Sequence, residues 1–316
     1  MAVGALTAVQ SRINGELAYV TGHGIEAAVV SFGSGWIILT VLLIAWRPVR
    51  EGLGSVIEAL RGGGLRPWQI MGGFLGAFFV CVQSITVPMV GVAVFTVAVV
   101  AGQSSNSLLV DRVGLGPAGR QPITAARVVS AALAVIAVAV AVSDRLTGDV
   151  TASIPAVLVA LVAGLAIAVQ QAINGRVGAA ARNSFTAAWV NFTLGCLLLG
   201  AAFGIAWAVS DLDPVALPEG PWWLYAGGAI GVLFIATAAW VVQRLGVLLF
   251  ALSSIAGQLC GALFLDWVMP TPGTTFHLTL VAGIVLAGAA VLVGAVPVLR
   301  RGGAVPRGEG TRKVEP

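Results

Sequence analysis

Residues 8–15 read Ala-Val-Gln-Ser-Arg-Ile-Asn-Gly and residues 168–175 read Ala-Val-Gln-Gln-Ala-Ile-Asn-Gly, with six of eight positions identical at an offset of 160. Alanine and valine matches carry little weight in so apolar a chain. The Gln, Asn and Gly matches weigh more, because amides are uncommon inside long apolar runs. A second set of matches recurs at an offset of 155. Gly72, Gly73, Gly76 and Phe79 match Gly227, Gly228, Gly231 and Phe234, while Ala101-Gly102-Gln103 and Asp111 match Ala256-Gly257-Gln258 and Asp266. The chain is a duplication, and a duplication constrains the fold more than any single element does.

Outward from these blocks the sequence is 58% hydrophobic and only 9% charged, far from the balance of a globular domain of 316 residues. Crossing the roughly 30 Å hydrocarbon layer takes about 20 apolar residues as a helix. Segments of that length cover Met1–Tyr19, Glu26–Trp46, Trp68–Val87, Met89–Val110, Ile123–Ser143, Ile154–Val177, Phe185–Val209, Trp222–Val242, Gly246–Met269 and His277–Leu299. The expectation is an all-α polytopic membrane protein of about ten transmembrane helices, forming two inverted five-helix repeats. Strict alternation over ~10 residues, the mark of a β-barrel strand, is missing from runs such as Ala131–Val142. The first segment has fewer apolar residues before Gln10 than its counterpart has before Gln170, which suggests a start placed late. No basic stretch precedes it, so it reads as retained and not as a cleaved signal.

Each repeat holds an odd number of crossings, so the second copy enters from the opposite side. Loop charges agree: Glu16 becomes Arg176 in the second copy, and the Arg-rich loop Arg47–Arg66 becomes the acidic Asp211–Glu219. With both termini cytoplasmic, 15 of the 17 basic residues fall inside; Arg12 and Arg145 fall toward the outer side with Glu26, Asp144 and Asp149. The expected units are a first repeat at 1–148, an inverted second repeat at 149–299 and a disordered cytoplasmic tail at 300–316. Trp36, Trp46, Trp68, Trp222, Trp223 and Trp267 read as interfacial anchors, and Pro88 as the marker of a tight outer turn between the third and fourth segments.

The Gln-x-x-Ile-Asn-Gly signature at Gln10–Gly15 and Gln170–Gly175 is followed in each copy by a Ser/Asn-Phe-x-x-Gly element, at Ser31–Gly35 and Asn191–Gly195. With the Ala-Gly-Gln…Asp block, these motifs make the chain resemble the drug/metabolite transporter superfamily, and within it the YdcZ-like branch, over nearly its whole length. The form looks like a fused pair of five-helix proteins. The resemblance implies a ten-helix fold in the bacterial inner membrane and export of metabolites. One departure stands out: better-understood multidrug members look to a carboxylate in the first helix, where this chain offers glutamine and asparagine. Glu16 lies toward the outer end of that helix and is opposed by Arg176, so no symmetric carboxylate pair exists.

Gln10 and Asn14, like Gln170 and Asn174, are spaced i,i+4 and share one helical face. Amides in hydrocarbon must find partners, so the two pairs are expected to face inward and form one neutral substrate-binding site; interhelical bonding is the rival reading. Gln103 and Gln258, with Ser104, Ser105, Ser253 and Ser254 nearby, extend that set. Gln83 aligns with Ala238 and would make the site asymmetric. Asp111 and Asp266 end the fourth and ninth segments on opposite faces, where they would act as gates or else pair with loop arginines such as Arg112.

Cys81, Cys196 and Cys260 have no metal spacing and read as small apolar filler; His23 and His277 sit at segment edges. No metal, cofactor, catalytic residue or nucleic-acid partner is expected, and no nucleotide-binding loop is present. The reading is a secondary transporter exporting a small polar or amphipathic molecule by alternating access, as a monomer or homodimer. A proton or ion gradient and facilitated diffusion both stand open as the driving mode. The alternatives are a lipid-carrier flippase and a non-transporting scaffold or sensor.

Overall fold

In the computed structural model, described for residues 2–117, 119–120, 122–141, 143, 150–209, 220–269 and 278–302, the chain forms ten α-helices and two short 3₁₀ turns. They are α1 (Ala2–Thr21), α2 (Gly24–Ala45), α3 (Arg47–Arg61), α4 (Gly72–Val90), α5 (Val92–Val113), α6 (Ala125–Ala141), α7 (Val150–Ala181), α8 (Ser184–Val209), α9 (Gly227–Val268) and α10 (Leu278–Gly302). Five helical stretches among the described residues are long and apolar enough to cross a bilayer. Asp144, Arg145, Asp149, Asp211, Asp213, Glu219, His277 and the tail beyond Gly302 lie outside the described residues.

The directions of the helices establish the inversion. Ser11 and Gly15 of α1 meet Gln83 and Val87 of α4, so these helices run parallel. Gly72 and Gly76 of α4 meet Asn174 and Gln170 of α7, so those two run antiparallel. The equivalent helices α1 and α7 therefore run in opposite directions. The pair α2 and α8 does the same: Phe32 lies against Gly195 and Phe192 against Gly35, and the two rings, at equivalent positions, stack at 4.8 Å. Gly283 against Ala141 and Gly294 against Ser130 set α10 antiparallel to α6.

Two differences from the sequence reading concern where helices break. The turn between the third and fourth segments falls at Gly91, not at Pro88, which lies inside the last turn of α4. Gly91 takes φ 81°, ψ 163°, a conformation from which an L side chain is largely excluded. In the second half, α9 covers two expected segments, with Gln243 where the first half has Pro88 and Gly246 where it has Gly91. A glutamine retains the N–H that proline lacks. The helix nonetheless bends. Gly227 meets Asn14 and Ser254 meets Gly4, contacts only ten residues or about 15 Å apart on α1, whereas 27 residues of straight helix would span about 40 Å. The arms of α9 thus form a V on α1, as α4 and α5 form one on α7. Each half clasps the first helix of the other.

A third difference is α3, which occupies what reads in sequence as an Arg-rich loop. It begins after Trp46 with Pro48 in its first turn, a position where the missing N–H costs nothing. Val49, Gly52 and Val56 are buried against α7 and α8, and the Thr186 hydroxyl donates to the Val49 carbonyl at 2.9 Å. Arg47 and Glu51 remain exposed as an i,i+4 ion pair. The second half has no such helix among the described residues. The apolar centre lies where Val92–Ala101 of α5 packs with α6, α7, α9 and α10.

Candidate functional site

The repeated amides and the repeated glycines prove to be two sides of one contact, made twice. Gln10 donates through Nε2 to the Gly227 carbonyl at 3.0 Å, and a Cβ on Gly231 would stand 2.9 Å from that same nitrogen. Asn14 Oδ1 abuts Gly227. In the other half, Gln170 abuts Gly76, and a Cβ on Gly72 would lie 2.5 Å from Asn174 Oδ1. Nearly two turns before each glutamine, Gly4 packs on the backbone of Ser254 and Gln258, as Gly164 packs on that of Val99 and Gln103. Such approaches need glycine, because any side chain would hold the helices apart.

The expectation of one shared amide cluster is corrected by this geometry. Asn174 sits at Gly72 and Asn14 at Gln83, eleven residues or about 16 Å apart along α4. The structure makes two half-sites with different wiring. In the first, Asn14 Nδ2 donates to Gln83 Oε1 at 2.8 Å and Gln83 Nε2 donates to Ser11 Oγ at 2.5 Å, all three side chains buried. Asn14 is 0% exposed, and its Oδ1 is buried without a hydrogen-bond partner. In the second, Asn191 replaces Gln83: its Nδ2 donates to Asn174 Oδ1 at 3.1 Å and its Oδ1 accepts from Gln170 at 3.5 Å. Gln103 donates to Gln171 at 3.0 Å, Asn106 donates to the Leu165 carbonyl at 2.7 Å, and Ser107 donates to the Ser104 carbonyl. Asn174, Gln170 and Gln103 are half-buried and Gln171 is exposed. Ser105 and Gln258 are half-buried and Ser254 is buried.

Asn191 and Ser11 are the members that sequence reasoning did not place in the site. The signal for Asn191 was present, since it opens the Asn-Phe-x-x-Gly element. Ser31, its counterpart, is shorter and approaches Gly227 instead.

The two aspartates go to different work. Asp111 pairs with Arg127 on α6, not Arg112, and both are partly exposed. Asp266 is buried and accepts from the backbone N–H groups of Val92 at 3.1 Å and Ala93 at 2.7 Å, capping α5 directly after Gly91. Gating or pairing with a loop arginine was the expectation for it; a helix N-terminus of the opposite half supplies two of its donors. Glu16 lies within α1 and pairs with Arg12 at 3.2 Å. Arg176, within α7, donates to the Leu115 and Gly114 carbonyls at 2.6 and 2.7 Å and so caps the end of α5. Trp36 is no interfacial anchor: its indole donates to Thr193 at 3.0 Å inside the α2–α8 contact, as Trp189 donates to Thr40.

A helical bundle of two antiparallel repeats, with apolar flanks and its uncommon amides along the seam, has the build of a membrane transport protein. The family described as "Putative inner membrane exporter, YdcZ" matches residues 1–140 and, a second time, residues 155–293. The chain belongs to that family of inner-membrane exporters, one copy to each half. No similar curated protein and no similar solved structure was found.

Proposed function

We propose that the protein is a secondary transporter that exports a small polar or amphipathic metabolite by alternating access, with both termini in the bacterial cytoplasm. The observation that carries this reading is the inequality of two equivalent half-sites. Asn14 is sealed, whereas Asn174, at the repeat-related position, is half-open. In inverted repeats the two halves exchange conformations between states, so one sealed and one open half-site describes one end of such a cycle. With the assigned topology, Asn14 lies toward the outer face, and this is the inward-open end. The half-sites offer neutral donors and acceptors, which suits orienting an uncharged polar group without stranding a charge in hydrocarbon.

The test is flux in proteoliposomes against a metabolite library, comparing wild type with Asn14→Ala/Asn174→Ala. Loss of flux by tenfold or more in a variant that retains its Tm is the expected result. Undiminished flux in the well-folded double variant would refute the amide half-sites, and no flux of any solute by wild type would favour a scaffold or lipid flippase.

A further inference from the structure

We propose that the cleft between the last turns of α1 and α4 and the start of α2 binds a neutral hydroxyl or carboxamide group on a small apolar frame, with Ser84 at its base. Ala18 and Tyr19 of α1, Gly24 of α2, and Ser84, Ile85 and Pro88 of α4 line it. Its volume is about 280 Å³, just under the roughly 300–1,000 Å³ of sites for drug-sized ligands, which suits a molecule of one ring. Ala18 stands one turn beyond Asn14 on α1, and Ser84 follows Gln83 on α4, so the cleft adjoins the Asn14–Gln83 bond on the side of the α1–α2 turn. Under the export reading this is where the molecule leaves. The binding itself does not depend on that reading.

Both oxygens of Ser84 lack the partner that a helix ordinarily gives them. A helical serine or threonine donates to a carbonyl three or four residues back, as Thr86 does to Val82 at 2.7 Å and Ser11 to Thr7 at 3.0 Å. The Ser84 hydroxyl makes no such bond: the residue is 0% exposed and its Oγ has no hydrogen-bond partner. Its carbonyl loses its donor for a different reason. Residue 88 is proline and still within α4, so the N–H that would reach four residues back to Ser84 does not exist. Unpaired polar groups are costly to bury, and an occupant of the cleft relieves that cost. The occupant must donate to the carbonyl and pair with the hydroxyl, which an alcohol or a primary amide does with one group. No charged side chain lines the cleft among the described residues. An ammonium would therefore enter without a counter-ion, and a carboxylate would face a bare carbonyl oxygen. Ala18, Tyr19, Ile85 and Pro88 supply walls for the apolar frame.

The experiment titrates probes that share one aromatic ring, namely benzyl alcohol, benzamide, toluene, benzylamine and benzoate, into full-length protein in nanodiscs of deuterated lipid. Half-saturation is read by saturation-transfer NMR with the signal of empty nanodiscs subtracted. Ser84→Ala is expected to raise the half-saturation concentration of benzyl alcohol and of benzamide about three- to tenfold, the effect of one neutral hydrogen bond. Pro88→Ala, which returns an N–H donor to the Ser84 carbonyl, shifts both in the same direction. Toluene binds alike to all three proteins, and benzylamine and benzoate bind more weakly than benzyl alcohol. Equal half-saturation of benzyl alcohol in wild type and both variants overturns the site, as does a loss for toluene as large as that for the alcohol. Tighter binding of either charged probe overturns the neutral class. The melting temperature supplies a second check, since Ser84→Ala removes a buried hydroxyl without a partner and should melt at or above wild type. A clear fall would show that the fold itself satisfies the hydroxyl, and the site would fall with it. Should Ser84→Ala fail to fold, Pro88→Ala decides. Ser84-dependent binding in a protein without flux would keep the site and sink transport, and flux without such binding would do the reverse.

Discussion

Replacing Gly73 by alanine tests whether the seam between the halves is as close as the structure makes it. A Cβ there would collide with the Asn191 carbonyl oxygen and lie 2.9 Å from both the Gly195 nitrogen and Leu194 Cβ. Two of those three atoms belong to the α8 backbone, which cannot swing aside as a side chain can, so α4 and α8 must separate. The proper control is Gly33→Ala in α2, where nothing lies within 4 Å of the added methyl. Both variants gain the same helix propensity, about 1 kcal/mol, so their difference isolates the clash. Inserting a methyl into a packed contact costs about 1–3 kcal/mol, and the backbone neighbours place this site at the upper end. Thermal unfolding in detergent, followed by tryptophan fluorescence, should rank Gly33→Ala at or above wild type and Gly73→Ala several degrees below it. Equal melting temperatures for the two alanine variants would show that α4 and α8 do not approach through Gly73, and the paired-contact account of the seam would fall with it.

Gln83→Leu should cost about 1–3 kcal/mol, because it strands the Asn14 Nδ2 donor in a buried site. Adding Asn14→Leu should then cost less than its effect alone; additive unfolding free energies would show the pair to be uncoupled. Arg127→Ala, breaking a partly exposed ion pair with Asp111, should lower stability by less than about 1 kcal/mol, and a melting-temperature drop as large as that of Gly73→Ala would contradict this.

The fold was legible because both signals behind it are long: apolar runs of crossing length, and a duplication spanning the chain. The seam was legible only in halves. Gln10 and Asn14 matched Gln170 and Asn174 at one offset, and Gly72 and Gly76 matched Gly227 and Gly231 at another, yet no periodicity says that one set packs on the other across repeats. Nor does sequence spacing reveal that Asn14 takes Gln83 as its partner while Asn174 takes Asn191, since both depend on how α1 and α7 lie against other helices. The helix α3 could have been read, because Val49, Leu53, Val56 and Leu60 recur at helical spacing; its arginines drew the reading toward a loop. Asp266 could not, because its partners are backbone N–H groups of a helix 173 residues away, and they exist only because Gly91 breaks the ladder.

The clasp also sets the order in which this protein can mature during synthesis. The groove formed by α4 and α5 is complete once Val113 has entered the membrane, yet its occupant, α7, begins at Val150. At about 5–20 residues per second, the nascent first half waits several seconds with Gly72, Gly73 and Gly76 uncovered. Conversely, α1 is the first helix made and finds its second embrace only when the far arm of α9 emerges near Val268. Neither half is a finished folding unit on its own, so a ribosome that stalls between them leaves an unmatched glycine face in the bilayer, ready to be recognised by the membrane quality-control machinery or by the same groove on another nascent chain.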